Sequence, residues 1–216
     1  MWQVILYVSV SIPLVLVLFY ALIRVVRIFY KFPIPQFLAN VIDNPLRRKI
    51  QPPEATAIRH GLRPGMKVLE IGPGNGRYTV AAARVLGPDG LIVTVDIEEK
   101  MIKRVIKRSK EENVLNVRAE VADVYELQFE SSTFDIVYMI AVINEVPDQM
   151  RALKEFHRVL KDDGLLVLSE LLMDPDYSCA KSLVRRVQDA DFTLKEKIGN
   201  SFYYTLKFMK SQTREQ

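Results

Sequence analysis

The stretch Glu70-Ile-Gly72-Pro-Gly74-Asn-Gly76 concentrates more potential chemistry than any other part of the chain. Lys67 to Ile71 reads as a short buried strand. Three glycines then recur at alternate positions, and a helical pattern opens at Arg77. A strand that turns through glycines into a helix lets a ligand approach bare backbone, here over the carboxyl end of a parallel sheet. A dinucleotide fingerprint would place glycines at 72, 74 and 77, but position 77 is Arg. The Glu70 carboxylate just before the first glycine would repel a pyrophosphate, whereas it can accept from an ammonium. The spacing therefore points to a nucleotide-like cofactor other than a dinucleotide.

The elements that must position this turn follow in order. Leu91 to Val95 is a second apolar, β-branched strand ending in Asp96. A carboxylate about 20 residues beyond the glycines suits a ribose diol. A third strand, near Val117 to Val121, ends at Ala122-Asp123. Phe134 to Ile140 is a fourth and runs into Ala141-Val-Ile-Asn144-Glu145. Leu153 to Gly164 reads as a helix and turn feeding a fifth strand, Leu165 to Glu170. Asp174-Pro-Asp-Tyr177 is a turn and Lys181 to Ala190 a helix. Phe192 to Ile198 and Phe202 to Met209 alternate as two final strands.

Glu70-x-Gly-x-Gly-x-Gly76, Asp96, Asp123 and the Arg158-Val-Leu-Lys-Asp-Asp-Gly164 turn together resemble the class I S-adenosylmethionine (SAM) methyltransferases, over about Pro53 to Lys210. The chain resembles the broad group that includes ubiquinone/menaquinone and phospholipid methyltransferases, without a long match to any one of them outside the cofactor motifs. The resemblance implies an α/β fold: a seven-stranded Rossmann-like sheet, parallel except for an antiparallel last strand. It implies SAM as methyl donor and S-adenosylhomocysteine as product. Gly72, Gly74 and Gly76 would border the amino-acid part of SAM, with Glu70 holding its ammonium. Asp96 would take the ribose hydroxyls and Asp123 the adenine amino group. Ile97 and Ala122 would flank the adenine, and Ile140 would lie beside the methionyl part. Asn144 and Glu145, after the fourth strand, stand where this family places substrate-orienting groups. They do not form the Asn/Asp-Pro-Pro-Tyr/Phe signature of amino-methylating DNA and protein enzymes. Tyr78, His60 and Tyr203 are further candidates for the pocket; His60 reads more readily as a surface or capping residue and His157 as structural.

The amino terminus carries a second signal. Trp2 to Ile23 holds 22 residues without a charge, about 33 Å as a helix and enough to cross a bilayer core. Arg24, Arg27 and Lys31 follow, which puts the amino terminus outside and the catalytic domain in the cytoplasm. A cleavable signal peptide fits less well, because the charges lie on the wrong side. Residues 1–31 are thus expected to be a single-pass transmembrane anchor with a basic flank. Residues 32–53 form a Pro-rich interfacial segment or substrate lid, with Phe37, Leu38, Val41 and Ile42 on one helical face. Residues 54–216 form the SAM-binding domain.

Residues 1–60 carry seven Lys/Arg against two Asp/Glu, and the remainder 23 against 24. The basic balance therefore belongs to the membrane-proximal segment. There Arg24, Arg27, Lys31, Arg47, Arg48 and Lys49 either meet anionic headgroups or serve as topology determinants. The soluble part has no basic stripe with interleaved aromatics, which disfavours nucleic acid. One cysteine, Cys179, excludes an internal disulfide, and no metal-ligand spacing occurs. The expected partners are the bilayer and a membrane-resident small-molecule acceptor: a quinone precursor or a phospholipid headgroup. Two alternatives stand beside this reading. One is a methyltransferase for soluble or protein acceptors that uses its anchor for placement; the other is a non-catalytic SAM-binding scaffold.

Overall fold

The computed structural model describes Trp2, Ser11, Val15, Leu18 and residues 22–26 and 45–211. Two helices, α1 (Pro45–Ile50) and α2 (Pro53–His60), lead into strand β1 (Lys67–Ile71). There follow α3 (Arg77–Leu86), β2 (Leu91–Asp96), α4 (Glu99–Glu111), β3 (Val117–Val121) and β4 (Phe134–Ile140). A single 3-10 turn (Ile143–Glu145) then precedes α5 (Gln149–Val159), β5 (Leu160–Leu171), α6 (Ala180–Gln188), β6 (Phe192–Gly199) and β7 (Tyr203–Lys210).

The seven strands make one sheet in the order β3-β2-β1-β4-β5-β7-β6. β1 runs parallel to β2 and β4, and β7 is antiparallel to both β5 and β6. The order reverses between β1 and β4, so a crevice opens there at the carboxyl ends of the strands. Both faces of the central strands are covered. Val68, Ile136 and Val167 pack into one buried cluster, and their neighbours Leu69, Val137 and Leu168 into another on the opposite face. That alternation follows from the period of two along a strand, and it explains why these strands read as continuous apolar runs.

The helices obey the other period. α4 buries Met101, Ile102, Val105 and Ser109, one face at i, i+1, i+4 and i+8. Its opposite face carries i,i+4 pairs, with Lys103 at 2.9 Å from Glu99 and Lys107 at 3.7 Å from Glu111. α3 buries three consecutive alanines, Ala81 to Ala83, on the sheet, and small side chains let the helix approach closely.

Strands expected at 67–71, 117–121 and 134–140 lie at those positions. The fifth begins at Leu160 rather than Leu165. Leu160 pairs with Phe134 and the register resumes with Leu165 opposite Ile136, so the Asp162-Asp163-Gly164 turn is a bulge inside the strand. His60 corrects its surface reading. It is 1% exposed, its Nε2 lies 2.8 Å from Ser169 Oγ, and its ring packs 5.0 Å from that of Tyr138. His157 packs on Phe192, as a structural residue would. Among the described residues no helix is long and apolar enough to cross a membrane. The anchor expected over Trp2–Ile23 lies mostly outside the described residues, and the helical face at Phe37–Ile42 lies wholly outside them.

Candidate active site

A cleft of about 390 Å³ opens over the carboxyl ends of β1, β2 and β4, within the range of small-molecule sites. The turn after β1 forms one wall. Gly72, Gly74 and Gly76 have φ of +69°, +56° and +77°, a region in which L side chains are strained. Each glycine meets a different need. A Cβ on Gly72 would stand 2.6 Å from Val142, and one on Gly76 3.0 Å from the Val105 backbone. One on Gly74 would meet nothing within 4 Å. Gly72 and Gly74 line the cleft; Gly76 caps α3 and lets α4 approach it. The loop is tied down by the Gly72 N–H donating to Val95 O at 2.9 Å and by Arg108 Nε donating to Asn75 O at 2.8 Å.

Glu70 is 2% exposed and borders the cleft. Its carboxylate accepts from Thr79 Oγ1 at 2.5 Å and from the Tyr138 hydroxyl at 2.9 Å. Burial raises its pKa, and the two hydroxyls oppose that rise. Asp96 ends β2 and accepts from the Glu98 N–H at 2.9 Å. Burial pushes its carboxyl up to about 6. Asp123 accepts from the Tyr125 N–H at 2.9 Å. With Ile97, Ala122 and Ile140, these residues share the same cleft. At its far side Ala141 holds φ +57° with a side chain, backbone strain of the kind that concentrates at functional sites.

The substrate-side candidates divide. Glu145 and Tyr78 line the cleft. Asn144 does not: its Oδ1 accepts from Ser178 Oγ at 2.8 Å and Arg186 at 3.1 Å, which turns it into the body of the domain. His60 and Tyr203 also stand away from the lining, Tyr203 under the Arg59 guanidinium at 4.6 Å. Tyr204 is buried strand core, whereas Phe202 is exposed and precedes β7.

Two lining residues carry no local sequence signal. Arg47, grouped above with the cations of the basic amino-terminal segment, is 7% exposed and forks onto Asp174 at 2.6 and 3.3 Å. Burial and Arg47 act in opposite directions on Asp174, and burial prevails to raise it. Both residues line the cleft. Gln51 holds the segment after α1 in place, accepting from the Tyr78 hydroxyl at its backbone oxygen at 3.0 Å.

A family model described as a methyltransferase domain matches residues 62–209. The chain belongs to the methyltransferase-domain family. The methyltransferase is 36% identical over 110 residues to demethylmenaquinone methyltransferases of Staphylococcus aureus strains JH9 and Newman. That match covers 51% of this chain and 45% of each relative, so the chain spans about half the length of the curated relatives it matches. A solved SAM-dependent methyltransferase from Aquifex aeolicus superposes with a TM-score of 0.76 at 19% identity, covering 82% of this chain and 100% of that one. The cyclase SpnF superposes at 0.65 with 17% identity, covering 74% and 79%. At such identities the likeness is one of fold, and the cyclase shows that this fold hosts other chemistry.

SAM is the cofactor, and the residues present fit it. The open side of Gly74 leaves bare backbone for close approach. Glu70, Asp96, Glu98, Asp123 and Glu145 give the lining an acidic balance suited to a cation. When bound, SAM supplies an activated methyl on a positive sulfur. The methyltransferase itself has to bind, align and exclude water.

Proposed function

We propose that the methyltransferase methylates a membrane-associated, lipid-like acceptor, and that a prenylated quinol precursor is favoured over a phospholipid headgroup. The observation that carries this reading is the match to relatives named demethylmenaquinone methyltransferase. Two features support it. The uncharged run from Trp2 to Ile23 suits a single-pass anchor with the catalytic domain on the cytoplasmic side. Of the described residues of that run, the large apolar side chains of Trp2, Val15, Leu18 and Leu22 are exposed, as lipid-facing groups are, and Ile23 is half-buried. An anchored enzyme meets a bilayer-resident acceptor at raised effective concentration.

The site roles follow the same reading. Glu70 receives the SAM ammonium, Asp96 the ribose diol and Asp123 the adenine amine, with Ile97, Ala122 and Ile140 packed against the ligand. Glu145 orients the acceptor, beside the apolar edge of Val146 and Pro147.

The test uses the full chain in lipid nanodiscs with SAM labelled on the transferable methyl. It is offered demethylmenaquinol, phosphatidylethanolamine and a soluble catechol in parallel. Label recovered in the quinol is the expected result. Label in the catechol alone, or in none of the three, overturns the acceptor assignment.

A further inference from the structure

The α1 helix lies ahead of the residues 62–209 that match the family, yet it sends Arg47 into the cleft. Among the described residues that line the cleft, Arg47 is the one cation, set against Glu70, Asp96, Glu98, Asp123, Glu145 and Asp174. The cofactor has several groups for those acids: a sulfonium, an ammonium, hydroxyls and an amine. Its single anion is the carboxylate of the methionyl part, and the acids repel it. The guanidinium is placed to receive it. Arg47 neighbours Tyr78, the second residue of α3, directly after the glycine turn that borders the methionyl part. The α3 amino terminus adds its own partial positive charge there. Arg47 already holds a carboxylate in a two-pronged grip, that of Asp174 at 2.6 and 3.3 Å, the geometry in which guanidinium and carboxylate pair best.

We propose that Arg47 is the receptor for the SAM carboxylate, and that it reaches this group by exchanging partners, leaving Asp174 for the cofactor. Asp174 is thus an internal stand-in for the ligand, and α1 is a latch that the cofactor resets. The exchange is favoured because Asp174 is a poor competitor. It is buried, and Asp176 in its own loop burdens it with like charge.

The test is a binding cycle between residue and ligand group, read by calorimetry on the full chain in detergent without turnover. SAM and decarboxylated SAM are titrated into wild type, Arg47→Met, Arg47→Lys and Asp174→Asn. Arg47→Met is expected to weaken SAM about tenfold or more while leaving decarboxylated SAM near its wild-type affinity, with Arg47→Lys between. Asp174→Asn is expected to move the other way, tightening SAM and leaving decarboxylated SAM unchanged. Retained binding of decarboxylated SAM certifies that each variant is folded. Equal weakening of both ligands by Arg47→Met assigns Arg47 to holding the fold and overturns the proposal. An Asp174→Asn variant that binds SAM no tighter than wild type overturns the exchange.

Discussion

At the scale of single residues, the cleft uses burial to set the acidity of its carboxylates. Asp96 illustrates the consequence. Removal from water pushes its carboxyl up to about 6, against the pull of the Glu98 and Ile97 backbone N–H groups. A ligand that donates hydroxyl protons to the ionised form stabilises that form, so binding lowers the pKa below its value in the free protein. Affinity is then full above pH 6 and falls as the pH drops through 6, because binding must first displace a proton. SAM titrated at pH 7.5, 6 and 5 is expected to weaken progressively at the acid end, approaching tenfold per pH unit below the free pKa. In Asp96→Asn that dependence disappears and affinity at pH 7.5 is lower. An Asp96→Asn variant with the wild-type pH profile would remove Asp96 from the site. Glu70 differs in kind: two hydroxyls hold its carboxylate from within, so its orientation is fixed before any ligand arrives.

At the scale of elements, the docking of α2 carries a distinct pH signature. Its last residue, His60, is buried against Tyr138 and Ser169 on two different strands. Burial, with Lys207 and Arg59 nearby, lowers its pKa from 6.5 to about 3. Above pH 6.5 both folded and unfolded chains carry a neutral imidazole and nothing is lost. Below it the unfolded chain takes up a proton that the fold refuses, so stability falls as the pH falls through that window. At pH 5 the loss is about 2 kcal/mol. Buried carboxyls such as Glu70 push the opposite way, so the measurement is a difference. Urea unfolding of wild type and His60→Leu at pH 7.5 and 5 is expected to show the wild type losing about 2 kcal/mol more than the variant. Equal losses would mean that the imidazole titrates normally. The same element marks the limit of sequence reading. β1 to β4 and the glycine turn were legible because their signals are local: apolar runs, a helix opening at Arg77, carboxylates at strand ends. The burial of His60, the inward turn of Asn144 and the pairing of Arg47 with Asp174, 127 residues apart, depend on which elements the sheet order brings together. Neither hydrophobic period nor motif spacing records that. The early start of β5 was hidden for a related reason: Lys161-Asp-Asp-Gly164 has turn chemistry, and only pairing with β4 makes it a bulge.

At the scale of the whole molecule, charge and hydropathy are split along the chain. Residues 1–60 hold a net +5 and the rest a net −1, while the cleft itself is acidic. An apolar run followed by Arg24, Arg27 and Lys31 suits a chain whose first part meets an anionic leaflet and whose later part handles a cationic cofactor. Arg47 connects the two parts, because it belongs to the basic segment by sequence and to the acidic cleft by position. The membrane reading has a direct test in the full-length protein. Ser11 and Val15 are exposed and lie within about three residues of the middle of the Trp2–Ile23 run, and a charge near the centre of a spanning helix costs about 2.5–3.5 kcal/mol. Ser11→Arg combined with Val15→Arg is therefore expected to shift the protein from the membrane pellet to the supernatant after ultracentrifugation. SAM affinity in detergent should stay at the wild-type value, since neither residue lines the cleft. A double variant that still pellets with membranes and resists carbonate extraction would place the attachment elsewhere in the chain. A variant that leaves the membrane yet methylates bilayer quinol at the wild-type rate would separate acceptor encounter from anchoring.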